Sequence, residues 1–255
     1  MTQSDKARDF AALHQPGKPL ILYNAWDAGS AQAISKAGAL AIATGSWSLA
    51  AAQGYKDGQD MPLSFATQIL ERMVGSVDLP VSFDFEAGFA GDLDTLANNI
   101  EQVISAGAIG VNFEDRLISE VGLRSASDQA DRIATLRRVA DAKSIPLFIN
   151  ARTDVFFQGS KPKEHADLMK EAQSRALTYA DAGANGIFVP GLITPELIGK
   201  FCAEAPLPVN IMQIGQSPDH ATLADLGVAR ISHGPAPYLA AMANVTNAAT
   251  AALKV

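Results

Sequence analysis

Four stretches of this chain share one pattern: AGALAI at residues 37–42, AGAIGV at 106–111, AGANGI at 182–187 and LGVARI at 226–231. In each stretch a glycine follows an amphipathic segment and precedes a short run of small and apolar residues. Such a glycine typically ends a helix in the left-handed conformation, and the apolar run after it indicates a buried strand. Four copies of one helix-to-strand junction predict a chain built from repeated βα units.

Short apolar runs alternate with longer amphipathic stretches on both sides of these junctions. Near-continuous apolar runs are typical of parallel strands covered on both faces, and their alternation with helical patterns favours a parallel α/β sheet. We expect strands at 20–26, 39–45, 80–86, 108–114, 146–152, 184–190, 207–214 and 229–233. We expect helices at 30–37, 63–75, 93–106, 127–142, 162–182, 195–203, 219–225 and 237–252, and long loops at 47–62 and 116–127.

The chain length agrees with one closed barrel. The chain has 255 residues, and a (β/α)8 TIM barrel typically has about 250. An open doubly wound sheet is the alternative, but no GxGxxG follows the first predicted strand. We therefore expect a single (β/α)8 barrel domain over 1–255, with an N-terminal helix within 1–17 and a C-terminal helix within 236–255.

Composition limits which binding partners and which cellular compartment we expect for this protein. The net charge of −7 argues against a nucleic-acid or membrane partner, because both require a basic face. Cys202 is the single cysteine, which excludes an internal disulfide and a cysteine-rich zinc site. The N-terminal residues contain no apolar signal core, so we expect a cytoplasmic protein.

Ionisable side chains collect where three predicted strands end, which is the active face of a barrel. Several carboxylates in one cavity repel each other, and either a shared proton or a hard divalent cation with oxygen ligands relieves the repulsion. Three or more acids favour the cation, and without paired His or Cys ligands zinc is disfavoured. The alternative is a set of rim residues that form ion pairs with Arg152 and Arg116. Alternation along the strands places on shared faces Asp84 with Glu86, Asn112 with Glu114, and Asn150 with Arg152 and Asp154, while strand 7 adds Asn210.

Six motifs in order resemble the isocitrate lyase/phosphoenolpyruvate mutase superfamily. The likeness extends from about residue 8 to residue 245, and no single motif decides it. The motifs are YNAWDA at 23–28, TGS at 44–46, GYKDG at 54–58, DFEAGF at 84–89, NFED at 112–115 and NARTD at 150–154.

The resemblance implies a magnesium site, with Mn²⁺ as an alternative ion. Asp84 and Glu86 match the paired acids that hold the ion directly or through water, and Glu114 matches an acid that contacts metal-bound water. The family more often has Asp where this chain has Glu86, so direct ligation there is an open question.

The resemblance also implies catalytic and substrate-binding residues. Asp57, Arg152 and Glu114 are the implied catalytic residues, and Arg152 clamps the substrate. Gly45 and Ser46 match backbone donors to a substrate carboxylate. In this family the last helix is often exchanged between subunits, which implies a homodimer or homotetramer. The expected substrate-binding set is Tyr23, Thr44, Gly45, Ser46, Trp47, Arg152 and Asn210.

The chain departs from the family in the loop after strand 4. Relatives that cleave isocitrate or methylisocitrate carry a Lys-Lys/Arg-Cys-Gly-His loop there, whereas this chain reads DRLISEVGLR at 115–124. The loop thiol is absent, and Cys202 is expected to pack as a small core residue on the seventh helix. The lysine and asparagine that phosphonate mutases place on this loop are not evident either.

These observations leave three functions open. The first is magnesium-dependent cleavage of a C–C bond, by a lyase or decarboxylase, in a small 2-oxo or 2-hydroxy carboxylic acid through a pyruvate-enolate-like intermediate. The second is a phosphonopyruvate hydrolase or phosphoenolpyruvate mutase that acts on a C–P bond. The third is a non-catalytic barrel that binds a metabolite. The substrate itself depends on the loops at 47–62 and 116–127.

Overall fold

The computed structural model describes residues 1–118, 120–158 and 165–254, and its centre is one sheet of eight parallel strands. Neighbours in the sheet follow the chain from β2 to β8, and β8 pairs with β1. The strands are β1 Leu20–Leu22, β2 Ile42–Ala43, β3 Val81–Asp84, β4 Gly110–Glu114, β5 Phe148–Arg152, β6 Gly186–Phe188, β7 Val209–Met212 and β8 Arg230–Ser232. All eight predicted strands are therefore confirmed, each within a longer predicted run.

The barrel closes between β1 and β2 just beyond the ends of both strands. The amide of Ala25 donates to the carbonyl of Ala43 at 2.8 Å, and the amide of Gly45 donates to the carbonyl of Ala25 at 3.2 Å. The Asn24 side chain reinforces this seam, because its Nδ2 donates to the carbonyl of Thr44 at 2.8 Å. The (β/α)8 barrel predicted from the sequence is the observed fold.

Helices follow the strands and cover the outside of the sheet. They are α1 Gln3–Ala12, α2 Ala28–Lys36, α3 Ser46–Ala52, α4 Leu63–Ser76, α5 Leu93–Ser105, α6 Ala126–Ala142, α7 His165–Asp181, α8 Pro195–Glu204, α9 His220–Asp225 and α10 Ala236–Ala252, with a 3₁₀ turn at Val155–Phe157. Within the described part of the chain, no helix combines the length and apolar character needed to span a bilayer.

The four repeated glycines act as the sequence predicts. Gly38, Gly107, Gly183 and Gly227 have φ values of 95°, 97°, 99° and 88°, which is the left-handed region that ends helices. At Gly107 the requirement is also steric, because an added Cβ would lie 2.8 Å from Cγ1 of Val74.

One predicted boundary needs correction, and another lies partly outside the described residues. The stretch 47–62, predicted to be a loop throughout, begins inside α3, which its run of three alanines at Ala50–Ala52 favours. The helix predicted at 162–182 starts at His165 in the described chain, and residues 162–164 lie outside the described residues.

Helix α1 closes the amino-terminal end of the barrel. Phe10 is fully buried and its ring lies 5.4 Å from that of Phe148 on β5, edge to face. His14 stacks on the same ring with 4.0 Å between centroids. An apolar floor thus separates solvent from the polar interior above it.

Helix α10 presents an apolar surface to solvent. Leu239, Met242 and Val245 are 50%, 38% and 59% exposed, and Pro237 is the buried residue of the helix. Contiguous exposed apolar side chains often indicate a contact surface.

Candidate active site

A cavity of about 180 Å³ opens at the carboxyl ends of the strands. A cavity of this size, smaller than the pockets that hold drug-sized ligands, suits a small organic acid. Of the predicted residues, those that line it are Gly45, Ser46, Trp47, Asp57, Asp84 and Arg152. The predicted face of the barrel therefore holds a cavity of suitable size.

Asp84 ends β3 and lies in the cavity wall. Its Oδ2 accepts from the amide of Ser46 at 3.0 Å, and its own amide donates to Oγ1 of Thr44 at 2.8 Å. Its Oδ1 is buried and has no hydrogen-bond partner among the described residues. A buried carboxylate oxygen without a donor is costly, so this atom is suited to a cation.

Glu86 reaches the site by a different route from the one predicted. Strand β3 ends at Asp84, and Glu86 has a left-handed φ of 48°, so strand alternation does not place these two acids on one face. Instead the turn holds Glu86 with its Oε2 accepting from the amide of Gln59 at 2.9 Å. Burial, and then the charges of Asp84, Glu114 and Asp57, raise the pKa of Glu86 to about 8.

Arg152 joins two acids in a buried cluster. Its Nη1 lies 2.9 Å from Oε2 of Glu114, its residue partner across β4 and β5. Its Nε and Nη2 donate to Asp154 at 2.6 and 2.9 Å. Burial lowers the pKa of Arg152, but the carboxylates of Glu114 and Asp154 outweigh burial and raise it above its usual value. The ion pair considered as an alternative thus exists for Glu114, but it is buried rather than on the rim.

Two further acids have raised pKa values. Burial raises the pKa of Glu114 to about 7 against the opposing effect of Arg152. Asp57 lies on the loop after α3, and burial, followed by the charge of Asp84, raises its pKa. Acids tuned upward are suited to proton transfer near neutral pH.

The backbone amides of Gly45 and Ser46 are already used inside the protein. The first donates to the carbonyl of Ala25 and the second to Asp84. The structure therefore does not present these two amides to a substrate carboxylate as predicted. Their hydrogen bonds instead close the seam between β1 and β2 and hold the side chain at the end of β3. The hydroxyl of Ser46 has no hydrogen-bond partner among the described residues.

The other predicted substrate residues lie at different distances from the cavity. Trp47 lines it, with its ring 5.9 Å from that of Tyr238. Thr44 is buried behind Asp84, and Asn210 is buried against Ser232 at 3.2 Å. Tyr23 is 46% exposed and lies outside the cavity wall.

The residues present fit a magnesium ion held mainly through water. In the described part of the chain no three His, Cys, Asp or Glu side chains stand close enough to hold a metal together. Mg²⁺ often uses only one or two carboxylates and keeps several waters. Oδ1 of Asp84 offers one direct ligand, and Glu114 is near enough to Glu86 for its charge to raise the pKa of Glu86.

The loop after β4 folds as a short hairpin. The amide of Leu117 donates to the carbonyl of Gly122 at 3.1 Å, and that of Arg124 donates to the carbonyl of Asp115 at 2.8 Å. A wider cavity of about 640 Å³ lies beside this hairpin, and Arg116 and Phe157 are among its lining residues. Ser119 lies outside the described residues.

Cys202 cannot replace a loop thiol. It lies on α8, packs against the main core and has a pKa raised to about 12 by burial. The thiol is protonated at neutral pH and is inert as a nucleophile. Its predicted role as a packing residue is confirmed.

Three polar residues of the site were absent from the predicted set. Asn24 and Ser232 line the cavity, and Arg230 lies buried beneath it, while Asn112, which strand alternation placed on one face with Glu114, lines the cavity as well. A signal for Arg230 was present, because it is a charged residue inside the otherwise apolar repeat LGVARI.

The fold and cavity define a (β/α)8 barrel whose acids and one arginine meet at the carboxyl ends of the strands, the location of active sites in barrel enzymes. The chain matches the family described as phosphoenolpyruvate phosphomutase over residues 10–253. It belongs to this family, within the isocitrate lyase/phosphoenolpyruvate mutase superfamily that its motifs resemble. This superfamily contains lyases and mutases, which supports an enzymatic function for this chain.

Individual relatives extend the comparison. A candidate phosphonomutase from Burkholderia cenocepacia J2315 superposes with a TM-score of 0.96 and is 46% identical, with 98% of this chain and 100% of that one covered. An uncharacterized protein of Mycobacterium tuberculosis is 34% identical over 95% of this chain and 88% of its own length. Oxaloacetate decarboxylase of Pseudomonas syringae is 26% identical over 94% of this chain and 82% of its own.

Proposed function

We propose that this protein cleaves a C–C bond in a small 2-oxo or 2-hydroxy carboxylic acid, as a magnesium-dependent lyase or decarboxylase. The observation that carries the proposal is the pairing of two features in one small cavity. One is Oδ1 of Asp84, which has no hydrogen-bond partner among the described residues, and the other is the guanidinium of Arg152, which also lines the cavity. The first suits a cation and the second suits a carboxylate.

Magnesium would be held directly by Asp84 and through water by Glu86 and Glu114. When bound, it supplies Lewis-acid stabilisation of negative charge on the 2-oxo group. A phosphonopyruvate hydrolase of the same fold, 20% identical to this chain, has been solved with oxalate and Mg²⁺. That complex supports the choice of ion without assigning it here.

The chain's own residues would bind the acid and stabilise its enolate. Arg152 would bind the carboxylate, and the hydroxyl of Ser46 is a second cavity donor. Breaking the bond at C3 leaves negative charge on the enolate oxygen, and a fixed guanidinium stabilises charge that develops there. Asp57, with its raised pKa, would carry a proton to or from the reacting group.

Loss of CO₂ from an oxaloacetate-like acid needs the fewest additional groups. Cleavage of a 2-hydroxy acid also requires a base for the hydroxyl and an acid for the departing carbanion. The loop after β4 supplies no thiol for the latter step. The oxaloacetate decarboxylase among the relatives agrees with this preference.

Turnover assays with and without metal test the proposal. Pyruvate release is measured from a panel of 3-substituted 2-oxo acids and malate-type acids with Mg²⁺, then after EDTA, then after Mg²⁺ is restored. We expect release of pyruvate, its loss in EDTA and its recovery with the metal. Unchanged turnover in EDTA would exclude the metal's role, and ligand binding without any turnover would favour a metabolite-binding barrel.

A second candidate is cleavage or rearrangement at a C–P bond through the same enolate. The similarity to a candidate phosphonomutase at 46% identity favours it. The same panel with phosphonopyruvate added separates the two functions. Phosphate release or phosphoenolpyruvate formation without C–C cleavage would select the second.

We further propose that the chain forms a homodimer or homotetramer through α10. Its exposed apolar side chains include Leu239 and Val245, which would be buried against a second copy. Sedimentation velocity of the wild type and of a Leu239→Glu/Val245→Glu double variant tests this. A monomeric wild type would refute it.

A further inference from the structure

Arg230 is a buried cation that forms no ion pair with the described residues, although the charge of Asp84 is near enough to raise its pKa against the effect of burial. It lies on β8 in the barrel interior and is 1% exposed. Among the described residues it has no carboxylate partner, and its Nη1 has no hydrogen-bond partner at all. An unpaired buried charge is costly, so its retention in this position calls for a specific role.

The guanidinium fixes the side chain of Asn112, which lines the cavity. Nη2 of Arg230 donates to Oδ1 of Asn112 at 3.0 Å, and Nδ2 of Asn150 donates to the same oxygen at 2.8 Å. Asn150 is the residue partner of Asn112 across β4 and β5. At Gly186, the next residue around the barrel, an added Cβ would lie 2.8 Å from Oδ1 of Asn150, so the glycine leaves room for this amide.

These contacts determine which end of the Asn112 amide faces the ligand. Two donors meet its oxygen, and so the oxygen must point toward Arg230 and Asn150. Its Nδ2 therefore remains for the cavity, and it has no protein acceptor among the described residues. A hydrogen bond from a cation to the amide oxygen polarises the amide and strengthens its N–H as a donor.

We propose that Asn112 binds an anionic oxygen of the substrate acid, and that Arg230 is the residue that positions and polarises it. This inference rests on the proposed function, because it assumes an acid in the cavity. Asp84, the residue partner of Asn112 on β3, is an acceptor. Asp84 and Asn112 thus place an oxygen suited to a cation beside an N–H suited to an anion.

The anionic oxygen is either the ground-state carboxylate or the enolate oxygen that forms during cleavage. A contact to the carboxylate affects both binding and KM. A contact that strengthens only as charge develops affects kcat and leaves KM unchanged.

The substitution Asn112→Asp tests the proposal with little change of shape. One carboxylate oxygen can still accept from Arg230 and Asn150, while the cavity-facing donor becomes an acceptor. At saturating Mg²⁺ we expect oxalate to bind about 10- to 100-fold more weakly in calorimetry, or kcat to fall by that factor, as expected for a lost hydrogen bond to a charged group.

Asn185→Asp is the matched control. Its Oδ1 also accepts from an arginine, Arg137, at 2.5 Å and from a backbone amide at 3.0 Å, but it lies outside the cavity. We expect its oxalate affinity and turnover to match those of the wild type. If Asn112→Asp does not fold, as judged by its thermal unfolding, Asn112→Ala is measured instead.

Arg230→Met and Arg230→Lys separate positioning from packing. If Arg230 positions Asn112, oxalate binding or kcat falls in the Met variant and is largely recovered in the Lys variant at equal folded fraction. If both variants lose only thermal stability, the role of Arg230 is refuted.

The outcomes distinguish this inference from the function it rests on. Wild-type oxalate affinity and turnover in a folded Asn112→Asp variant overturn the inference alone. A wild type that neither binds oxalate nor converts any acid of the panel overturns both.

Discussion

The two halves of the barrel's active face use different polar chemistry. Strands β3 to β5 end in the charged groups Asp84, Glu114 and Arg152, of which Glu114 and Arg152 form an ion pair. The half formed by β7, β8 and the segment after β1 presents neutral groups such as Asn24 and Ser232.

In the neutral half, the lining residue Asn24 is held by internal hydrogen bonds. Oδ1 of Asn24 accepts from the amides of both His233 and Gly234 at 2.9 Å. The charged half instead contains a buried oxygen that no described residue donates to, and acids with raised pKa values. We infer that the neutral half fixes the shape of the site, whereas the charged half is built for an ion, an acid and a proton.

The largest expected effect is that of Arg152→Met in the charged half. The change leaves Glu114 and Asp154 buried without their partner, which costs about 3–5 kcal/mol of folding free energy. It also removes the proposed carboxylate clamp, so kcat/KM should fall roughly 10²–10³-fold or more. Urea unfolding and pyruvate release measure the two losses.

Arg175→Met is the control for this substitution. Arg175 pairs with buried Asp115 at 3.1 Å, away from the cavity. It should lose stability without a comparable change in KM. Equal losses of activity in the two variants would mean that the effect of Arg152 is structural.

Asp84→Asn should lower Mg²⁺ affinity and turnover by roughly 10²-fold. The amide oxygen can still accept from Ser46, so the fold should persist. Since the charge of Asp84 raises the pKa values of Glu86 and Asp57, the metal-free variant should also unfold at the same or a higher temperature than the metal-free wild type.

Calorimetry with Mg²⁺ and thermal scans in EDTA measure both consequences. Asp92→Asn is the control, because Asp92 is an exposed N-cap of α5 and Asn caps helices equally well. Wild-type Mg²⁺ affinity in Asp84→Asn would remove this carboxylate as a ligand.

The site predictions that were confirmed concern residues at the ends of strands that pair in register. Glu114 and Arg152 end consecutive strands of a parallel sheet, so their pairing follows from the strand order alone. The glycines that end the helices could be predicted equally well, because the residue after such a helix takes the left-handed conformation, which glycine adopts freely.

What the sequence missed depends on tertiary contacts. The left-handed φ of Glu86 means that strand alternation, on which its predicted position rested, does not extend to this residue. No sequence pattern around an acidic residue signals that conformation. The hydrogen bond from the amide of Ser46 to Asp84 joins residues that are 38 positions apart in the sequence. Arg230 was read as part of an apolar repeat, although its charge was visible in the sequence.

The amino-terminal end of the barrel, opposite the active face, should respond to acid through His14. Burial, and then the charge of Arg230, lower the pKa of His14 to about 3 from 6.5. The unfolded chain therefore takes up a proton that the folded protein excludes, and stability falls as the pH drops below about 6.5. The slope approaches 1.4 kcal/mol per pH unit for one proton.

His14→Gln should remove this contribution while keeping a donor for the carbonyl of Phe10, which His14 contacts at 2.8 Å. Urea unfolding between about pH 5 and 7 gives the difference between the variant and the wild type. Parallel stability curves for His14→Gln and the wild type would show that His14 titrates normally.

The smallest expected effect is that of Tyr23→Phe at the edge of the neutral half. Tyr23 belongs to the first family motif and is predicted to bind substrate, yet its ring contacts His233 at 5.2 Å outside the cavity wall. If the static cavity is the whole site, kcat/KM should stay within about two-fold of the wild type, as for most exposed positions. Trp47→Phe, which alters a lining residue, should cost more. A tenfold or larger loss in Tyr23→Phe, measured with the best acid of the panel, would show that this edge moves onto the bound acid, because the hydroxyl has no other means of reaching it. The neutral half would then take part in closure rather than serve only as a fixed wall.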